Sequence, residues 1–237
     1  VRFGKGYQAF DATQPNYLWS GPMALFTSGV GDLGLEELDR LLTGKRIGIG
    51  FSADYDAFEF SADTRPEDLE GQLHLFAAKL FKPRWDPEPL ARGKRQMIAD
   101  YPAYASSAQS MLSRDMDQLM AAGDTRFATP TPAEIEGLTP EKFKATWEPI
   151  LAQGPIEVLI FGDFETDLAL DALSKTFGAL PMREDAVVAN NGTQIAFAEP
   201  STVPVTRYHD GAKTQAAAVI AWPTGAGVRD IREKRKL

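Results

Sequence analysis

Acidic side chains recur at the spacing of a calcium-binding loop in the stretch FGDFETDLALDALSKTFGALP, residues 161–181. Positions 1, 3, 5 and 9 of such a loop are taken by Asp163, Glu165, Asp167 and Asp171. The loop also requires glycine at position 6 and a bidentate glutamate at position 12, where Leu168 and Ser174 stand. We therefore interpret the acids as a helix start, where negative charge is favourable, and not as a metal site.

A second candidate is a glycine motif with the G-x-G-x-x-G spacing of a dinucleotide-binding turn. Its glycines, in GVGDLG, are Gly29, Gly31 and Gly34. Asp54 follows 20 residues after Gly34, where an acid that binds ribose would stand. However, the predicted helix begins only after the third glycine, at Leu35. We favour a glycine-rich joint between two helices, and a nicotinamide-dependent enzyme stays an alternative that a hairpin over 47–63 would exclude.

Histidine and cysteine are too scarce for most catalytic or metal sites. The chain has two histidines, His74 and His209, and no cysteine. Neither H-E-x-x-H nor H-x-x-E-H occurs, and G-x-S-x-G and the phosphate-binding loop are also absent from the sequence. We expect His74 to be a structural residue packed beside the apolar stripe of its helix. We assign no catalytic, cofactor-binding or metal-binding residue to this chain.

The composition narrows the class of protein. Hydrophobic residues make up 43% and the formal net charge is -8, which disfavours a general role in binding nucleic acid. No apolar run approaches the roughly 20 residues that cross a membrane, so no membrane span is predicted. The basic end, VRDIREKRKL, is interpreted as a solvated helix face. Because the chain has neither an initiator Met nor a signal peptide, we interpret it as a piece of a larger protein.

Hydrophobic periodicity predicts an α+β fold with an antiparallel sheet covered by helices. The first predicted elements are a strand in VRFGKGYQAF and, in YLWSGPMALFTSG, either a helix or a helix followed by a short strand. A helix that begins at residue 35 and ends before Gly44, a hairpin over 47–63 and a helix over 65–81 follow. Helices follow over 87–150, with a break at Pro102 and helix starts at Thr131 and Thr139. A strand over 155–162 and a helix over 166–177 come next, and the helix is expected to bury Leu170, Leu173 and Phe177. Further strands are predicted near 193–199, 204–209 and 214–222, and then a basic helix.

The order of these elements, with certain residues, resembles the insulinase-like (pitrilysin) zinc metallopeptidase superfamily. The residues that carry the resemblance are ELDRLL at 37–42, IGIGFSADYDAFEFSAD at 47–63, RPEDLEGQLHLFAAKL at 65–80 and FGDFETDLALDALSKTFGALP at 161–181. The resemblance implies an insulinase-like peptidase domain over residues 1–185. Residues 186–237 then form a linker and the incomplete start of a second, similar domain.

The resemblance also implies that this domain is not the catalytic one. In the family, an active domain carries H-x-x-E-H on its first long helix, where zinc lowers the pKa of a water and the glutamate acts as base. The matching stretch here, NYLWSGPMALFTSGVG, contains neither histidine nor glutamate. We therefore expect a non-catalytic domain from the C-terminal half of a bacterial member, inactive alone, with zinc bound in the catalytic domain of the full-length protein.

Partners and compartment follow from the same resemblance. The expected partners are the catalytic half, in the same or a partner chain, and a peptide substrate enclosed between the two halves. No nucleic acid is expected. The compartment is unknown, and the resemblance favours the periplasm. The alternative function is a structural or binding subunit related to the inactive core proteins of respiratory complexes.

Overall fold

The computed structural model describes residues 1–25, 27–186, 188–194 and 196–222. Within these ranges the strands are β1 (Arg2–Phe3), β2 (Gly50–Ala53), β3 (Phe58–Ser61) and β4 (Ile156–Glu157). They form one sheet in the order β2–β3–β1–β4, and every neighbouring pair is antiparallel. The predicted antiparallel α+β fold is confirmed.

The same described ranges contain eight α-helices. They are α1 (Gly21–Leu25), α2 (Leu35–Leu42), α3 (Leu69–Phe81), α4 (Pro87–Asp100), α5 (Ala108–Met120), α6 (Pro132–Gly137), α7 (Pro140–Ala152) and α8 (Thr166–Lys175). Among these described helices, none is both long and apolar enough to cross a bilayer.

Side chains alternate across the sheet because successive residues of a strand point to opposite faces. Phe3, Phe58 and Phe60 point inward and are almost completely buried. On the opposite face, the Arg2 guanidinium lies 2.9 Å from the carboxylate of Asp56 and 3.5 Å from that of Glu157. The alternation thus separates an aromatic inner face from a charged outer face.

The core is centred on Trp147 of α7, whose exposed fraction is 0%. Its ring lies 5.5 Å from that of Phe58, 5.8 Å from that of Phe51 and 6.1 Å from that of Phe10, measured between centroids. Helix α3 joins this cluster through Phe76, whose ring stacks on Phe60 at 5.8 Å. Aromatic contacts of this kind stabilise a fold beyond the burial of their area.

The predicted hairpin is present as β2 and β3. Their register pairs Phe51 with Phe60, and the Asp54 N–H donates to Ala57 O at 2.8 Å to close the turn. Two antiparallel strands in direct succession leave no room for the parallel crossover of a dinucleotide-binding fold. The nicotinamide-binding alternative is therefore wrong.

Helix ends follow the sequence signals closely. Thr131 and Thr139 accept hydrogen bonds from backbone N–H groups at the starts of α6 and α7, as predicted. Pro102 lies in a 3₁₀ turn, Tyr101–Ala105, that separates α4 from α5, so the predicted break is also confirmed. These ends depend on side chains a few residues away, which is why the sequence predicts them well.

The region after α7 differs from its prediction. The predicted strand over 155–162 pairs only at Ile156–Glu157, and the predicted helix over 166–177 ends at Lys175. Helix α8 packs on α3 rather than on the sheet, and the side chains that it buries are Ala169 and Ala172. Leucines at the positions expected to be buried are at least partly exposed; Leu170 is 58% exposed. Small side chains allow the two helices to pack closely, and this contact was not visible in the sequence.

The strands predicted near 193–199, 204–209 and 214–222 are wrong for the residues described there: 188–194 and 196–222 contain no strand. The Ala189 N–H bonds to Gln8 O, Ala198 to Met120 O and Asp210 to Ala105 O, each at an isolated point. A strand requires a continuous ladder with a neighbouring strand, which isolated bonds do not provide. The predicted basic helix lies outside the described residues.

Candidate functional site

The segment that resembles the metal-binding helix of the family is built into the core. It consists of a 3₁₀ turn, Leu18–Ser20, followed directly by α1. The Ser20 hydroxyl donates to Tyr17 O at 2.6 Å and accepts from the Trp147 indole N–H at 3.0 Å. Gly21 lies so close to Trp147 that an added Cβ would stand 2.5 Å from its ring. The Ser20 hydroxyl is thus hydrogen-bonded within the core, and the backbone at Gly21 packs against the Trp147 ring.

Helix α4 packs against α1 through a glycine. A Cβ added at Gly93 would lie 2.1 Å from Cγ of Met23, so the glycine makes room for the methionine side chain. A thioether sulfur is only a weak hydrogen-bond acceptor and cannot act as a base. The contact between the two helices therefore offers packing and no group for hydrolysis.

A buried lysine lies beneath the end of α1. The Lys79 ammonium, on α3, donates to Leu25 O at 2.8 Å and to Ser28 O at 2.5 Å. The residue is 3% exposed, and burial lowers the pKa of its ammonium to about 8, an effect partly offset by the charge of Asp86. Its positive charge repels a divalent cation, so this position opposes metal binding next to α1.

The depressed pKa of Lys79 predicts that stability rises with pH above about 8. In the unfolded chain the ammonium keeps its proton up to about pH 10.5, so between these values the unfolded state binds more protons. From pH 7 to 9.5 we expect this group to add about 2 kcal/mol to the free energy of unfolding. Urea denaturation across this range should show the rise in the wild type and a smaller one in Lys79→Met.

The comparison with Lys79→Met separates the contribution of Lys79 from those of other groups that titrate between pH 7 and 9.5. Val1 and Tyr7 also have shifted pKa values, lowered for the ammonium and raised for the phenol, mainly by burial. Both are present in the wild type and in the variant, so their contributions cancel in the difference. Equal pH slopes for the two proteins would contradict the prediction.

The predicted motifs occupy the places expected of structural features. The glycine motif lies in the joint between α1 and α2, where the Gly34 N–H donates to the Glu37 carboxylate at 2.7 Å to begin α2. In the acidic stretch, Glu165 precedes the first turn of α8, and Asp171 forms an ion pair with Lys175 at 2.5 Å. In the part of the chain that the structure describes, no three His, Asp or Glu side chains form a group that could hold a metal ion.

The two histidines lie in separate parts of the fold. His74 lies beside the buried stripe of α3, but it is not packed there as predicted, because its side chain is 55% exposed and lies 3.6 Å from the Glu70 carboxylate. A helix face just beside the buried stripe is open to solvent here, and the spacing alone did not show this. His209 lies in a turn, where its Nδ1 accepts from the Gly211 N–H at 3.1 Å. Neither imidazole has the base–nucleophile arrangement of a hydrolase.

A cavity of about 560 Å³ opens between residues 4–17 and α7. Its surface is mostly apolar and includes Phe10, Tyr17 and Ile150, while Lys5 and Asp11 add one charge of each sign. The described lining contains no imidazole. A concavity whose surface is mainly apolar is typical of a binding site, and this one has room for an apolar side chain.

Two buried cationic residues, Lys79 and Arg126, were missed by the sequence interpretation. Lys79 recurs at helical spacing after Gln72 and Leu75 on the buried face of α3, which was a usable signal. Arg126, with 0% of its side chain exposed, forms an ion pair with Asp124 at 2.6 Å. Nothing in the short stretch DTRF predicts that its arginine is buried, because its partners other than Asp124 are backbone oxygens far away in the chain.

No family model matches the chain. The chain is 21% identical over 174 residues to the chloroplastic stromal processing peptidase of Arabidopsis thaliana, covering 73% of this chain and 14% of that peptidase. It also superimposes on the periplasmic protease PqqL of Escherichia coli with a TM-score of 0.62, at 17% identity, over 79% of this chain and 21% of PqqL. The chain has the fold of an insulinase-like (M16) peptidase domain. This domain thus spans a small part of the relatives that it matches.

The chain is also similar to a solved structure that contains an inactive domain of this fold. The chain superimposes on a peptidase M16 inactive domain from Pseudomonas fluorescens with a TM-score of 0.50, at 22% identity, over 65% of this chain and 37% of that one. The similarity shows a shared fold, which agrees with the order of hairpin, helices and acidic stretch that carries the sequence resemblance.

Proposed function

We propose that this M16 domain is a non-catalytic part of a zinc-dependent metalloendopeptidase. The observation that carries the proposal is the packing of the segment Leu18–Leu25 into the core, at the position where the resemblance implies the metal-binding helix of an active domain. Ser20 bonds to Trp147, Met23 packs on Gly93 and the Lys79 ammonium lies at the helix end. In the intact protein, zinc and the H-x-x-E-H motif would belong to another domain.

The domain's role would be to enclose the substrate. The open cavity between residues 4–17 and α7 is the surface that we expect to contact an extended peptide, with an apolar side chain inserted beside Ile150. The structural similarity of this chain to PqqL, a periplasmic protease, favours the same compartment for this protein. Residues 186–237 would lead into a second domain of the same kind.

The test compares the half-protein that contains this domain with the half that contains H-x-x-E-H, alone and mixed. We expect zinc, measured by atomic emission, only in the second half, and cleavage of a fluorogenic peptide only in the mixture. Replacing the motif glutamate by glutamine should abolish that cleavage. Zinc-dependent cleavage by the first half alone would contradict the proposal, and an inactive mixture would favour a structural subunit of the kind found in respiratory complexes.

A substitution at Ile150 tests whether the peptide substrate binds in the cavity. In the active mixture we expect Ile150→Glu to raise KM for an apolar peptide about tenfold with kcat unchanged, because it weakens binding in ground and transition states alike. Leu41→Glu is the matched control, since Leu41 is 57% exposed on α2 and does not line the cavity. Equal KM values for the two folded variants would show that the peptide binds elsewhere.

A further inference from the structure

Another cavity, of about 420 Å³, lies where α4, the 3₁₀ turn Tyr101–Ala105, α5 and α6 meet. Its apolar lining includes Met97, Pro130 and Ile135, and the last of these is 0% exposed. The volume is within the range of pockets that bind ligands. This cavity shares no residue with the one between residues 4–17 and α7, so it offers a separate place for a ligand.

Two tyrosine rings belong to the lining of this cavity. Tyr101 and Tyr104 are half-buried, and their ring centroids lie 5.6 Å apart at an interplanar angle of 75°. The face of an aromatic ring attracts a cation placed above it, and the attraction grows as water is excluded. The rings, together with the thioether of Met97, also offer contact to an apolar stem.

In the part of the chain that the structure describes, the lining of this cavity carries one formal charge, the Asp100 carboxylate at the end of α4. The carboxylate accepts a hydrogen bond from Gln96 Nε2 at 2.8 Å. It takes part in none of the ion pairs among the described residues, and Asp100 is exposed to solvent. A carboxylate without a cation, beside aromatic rings, favours a positively charged ligand.

A neighbouring cation has an acidic partner of its own. The Arg114 guanidinium interacts with Tyr101, but it donates to both carboxylate oxygens of Asp115, at 2.6 and 3.0 Å. Arg207 pairs with the same carboxylate at 2.7 Å. None of these three side chains lines the cavity. The formal net charge of the whole chain is -8, so its long-range field attracts a basic ligand rather than an acidic one.

We propose that this cavity binds an arginine side chain of a basic peptide. Arginine is favoured because its planar guanidinium stacks on aromatic rings and can donate two hydrogen bonds to one carboxylate, while its methylene stem packs on apolar surface. The lysine ammonium is more strongly hydrated and has no flat face to stack. The inference concerns a separate cavity and does not depend on the proposed function.

The test titrates the chain of 237 residues with the capped peptide Gly-Gly-Arg-Gly-Gly and follows the backbone amides by NMR. A control peptide carries citrulline in place of arginine, which keeps the shape of the side chain without its charge. With the arginine peptide we expect saturable shifts at the amides of Ser113 and Thr129, which line the cavity. The dissociation constant should be about tenfold higher for the citrulline peptide, which loses the ion pair and the attraction to the rings.

The variant Asp100→Asn removes the charge from the lining and keeps an oxygen that can accept from Gln96. We expect it to raise the dissociation constant of the arginine peptide about fivefold, the upper end for an exposed ion pair, and to leave that of the citrulline peptide unchanged. Asp163→Asn is the matched control, because Asp163 is also exposed and does not line the cavity. It should leave both constants unchanged.

Four outcomes would overturn the proposal. Equal affinity for the arginine and citrulline peptides would show that the cavity does not recognise a cation. Equal weakening by Asp100→Asn and Asp163→Asn would show that the peptide is attracted by the acidic protein as a whole. A lysine peptide that binds as tightly as the arginine peptide would contradict recognition of the guanidinium. Shifts confined to the cavity between residues 4–17 and α7 would place the peptide there instead.

Discussion

Replacing Trp147 by alanine is expected to lower the free energy of unfolding by about 4 kcal/mol. The indole is fully buried among the rings of Phe10, Phe51 and Phe58, so its removal leaves a cavity that the sheet and α7 cannot close. It also removes the N–H that donates to the Ser20 hydroxyl at 3.0 Å. Urea denaturation followed by far-UV circular dichroism measures the loss.

Two further variants separate the contributions to this loss. Trp147→Phe keeps much of the volume but not the indole N–H, and we expect a loss of about 1–2 kcal/mol. Trp222→Ala is the matched control, because Trp222 is 75% exposed and its loss should stay within about 0.5 kcal/mol. A loss below about 1 kcal/mol for Trp147→Ala would contradict the central position that the structure gives this residue.

Replacing Arg126 by methionine should destabilise the domain by about 4 kcal/mol, because it leaves the Asp124 carboxylate buried without its cation. The side chains of Arg126 and Asp124 are 0% and 4% exposed. The guanidinium also donates to backbone oxygens of three distant residues. These are Tyr7 O at 3.2 Å, Gly192 O at 2.6 Å and Gln194 O at 2.5 Å.

The bonds to Gly192 and Gln194 give this variant a local effect as well. They attach the segment after α8 to the domain, next to the bond from the Ala189 N–H to Gln8 O at 2.9 Å. In Arg126→Met we expect the Ala189 amide to exchange faster by a larger factor than the amides of α3. Uniform acceleration throughout the domain would show that the guanidinium acts on global stability alone.

Matched variants test whether the buried charge causes the loss. Arg95→Met removes an arginine that is 65% exposed and pairs with Glu88 at 2.9 Å, and it should cost less than about 0.5 kcal/mol. Adding Asp124→Asn to Arg126→Met removes the orphaned charge and should recover at least about 1 kcal/mol. A double variant as unstable as the single one would contradict the electrostatic explanation.

Local signals in the sequence predicted a large part of the fold. The alternation in FSADYDAFEF predicted the hairpin, and Thr-Pro pairs predicted the starts of α6 and α7. The expectation that this chain lacks a hydrolytic zinc site, drawn from its two histidines, stays a prediction. Each of these inferences depends on residue types or on neighbours within a few positions, which the sequence displays directly.

The errors concern elements whose state depends on distant partners. Residues 158–161 have the composition of a strand, but a strand also needs a neighbour with which to pair, and the sequence does not show whether one is present. Helix α8 carries more than one apolar face, and only its contact with α3 decides that Ala169 and Ala172 are buried. His74 stands at the margin of a buried stripe, where the packing of α3 leaves it exposed.

The sequence by itself determined the antiparallel α+β class, the family resemblance and the lack of a histidine pair near the first helix. The tertiary structure alone decided that Lys79 ends beneath α1 and that Arg126 attaches residues 192–194 to the domain. The physical reason is range: patterns of capping and periodicity act within a few residues, whereas burial of a charge and pairing of a strand are set by groups far apart in the chain.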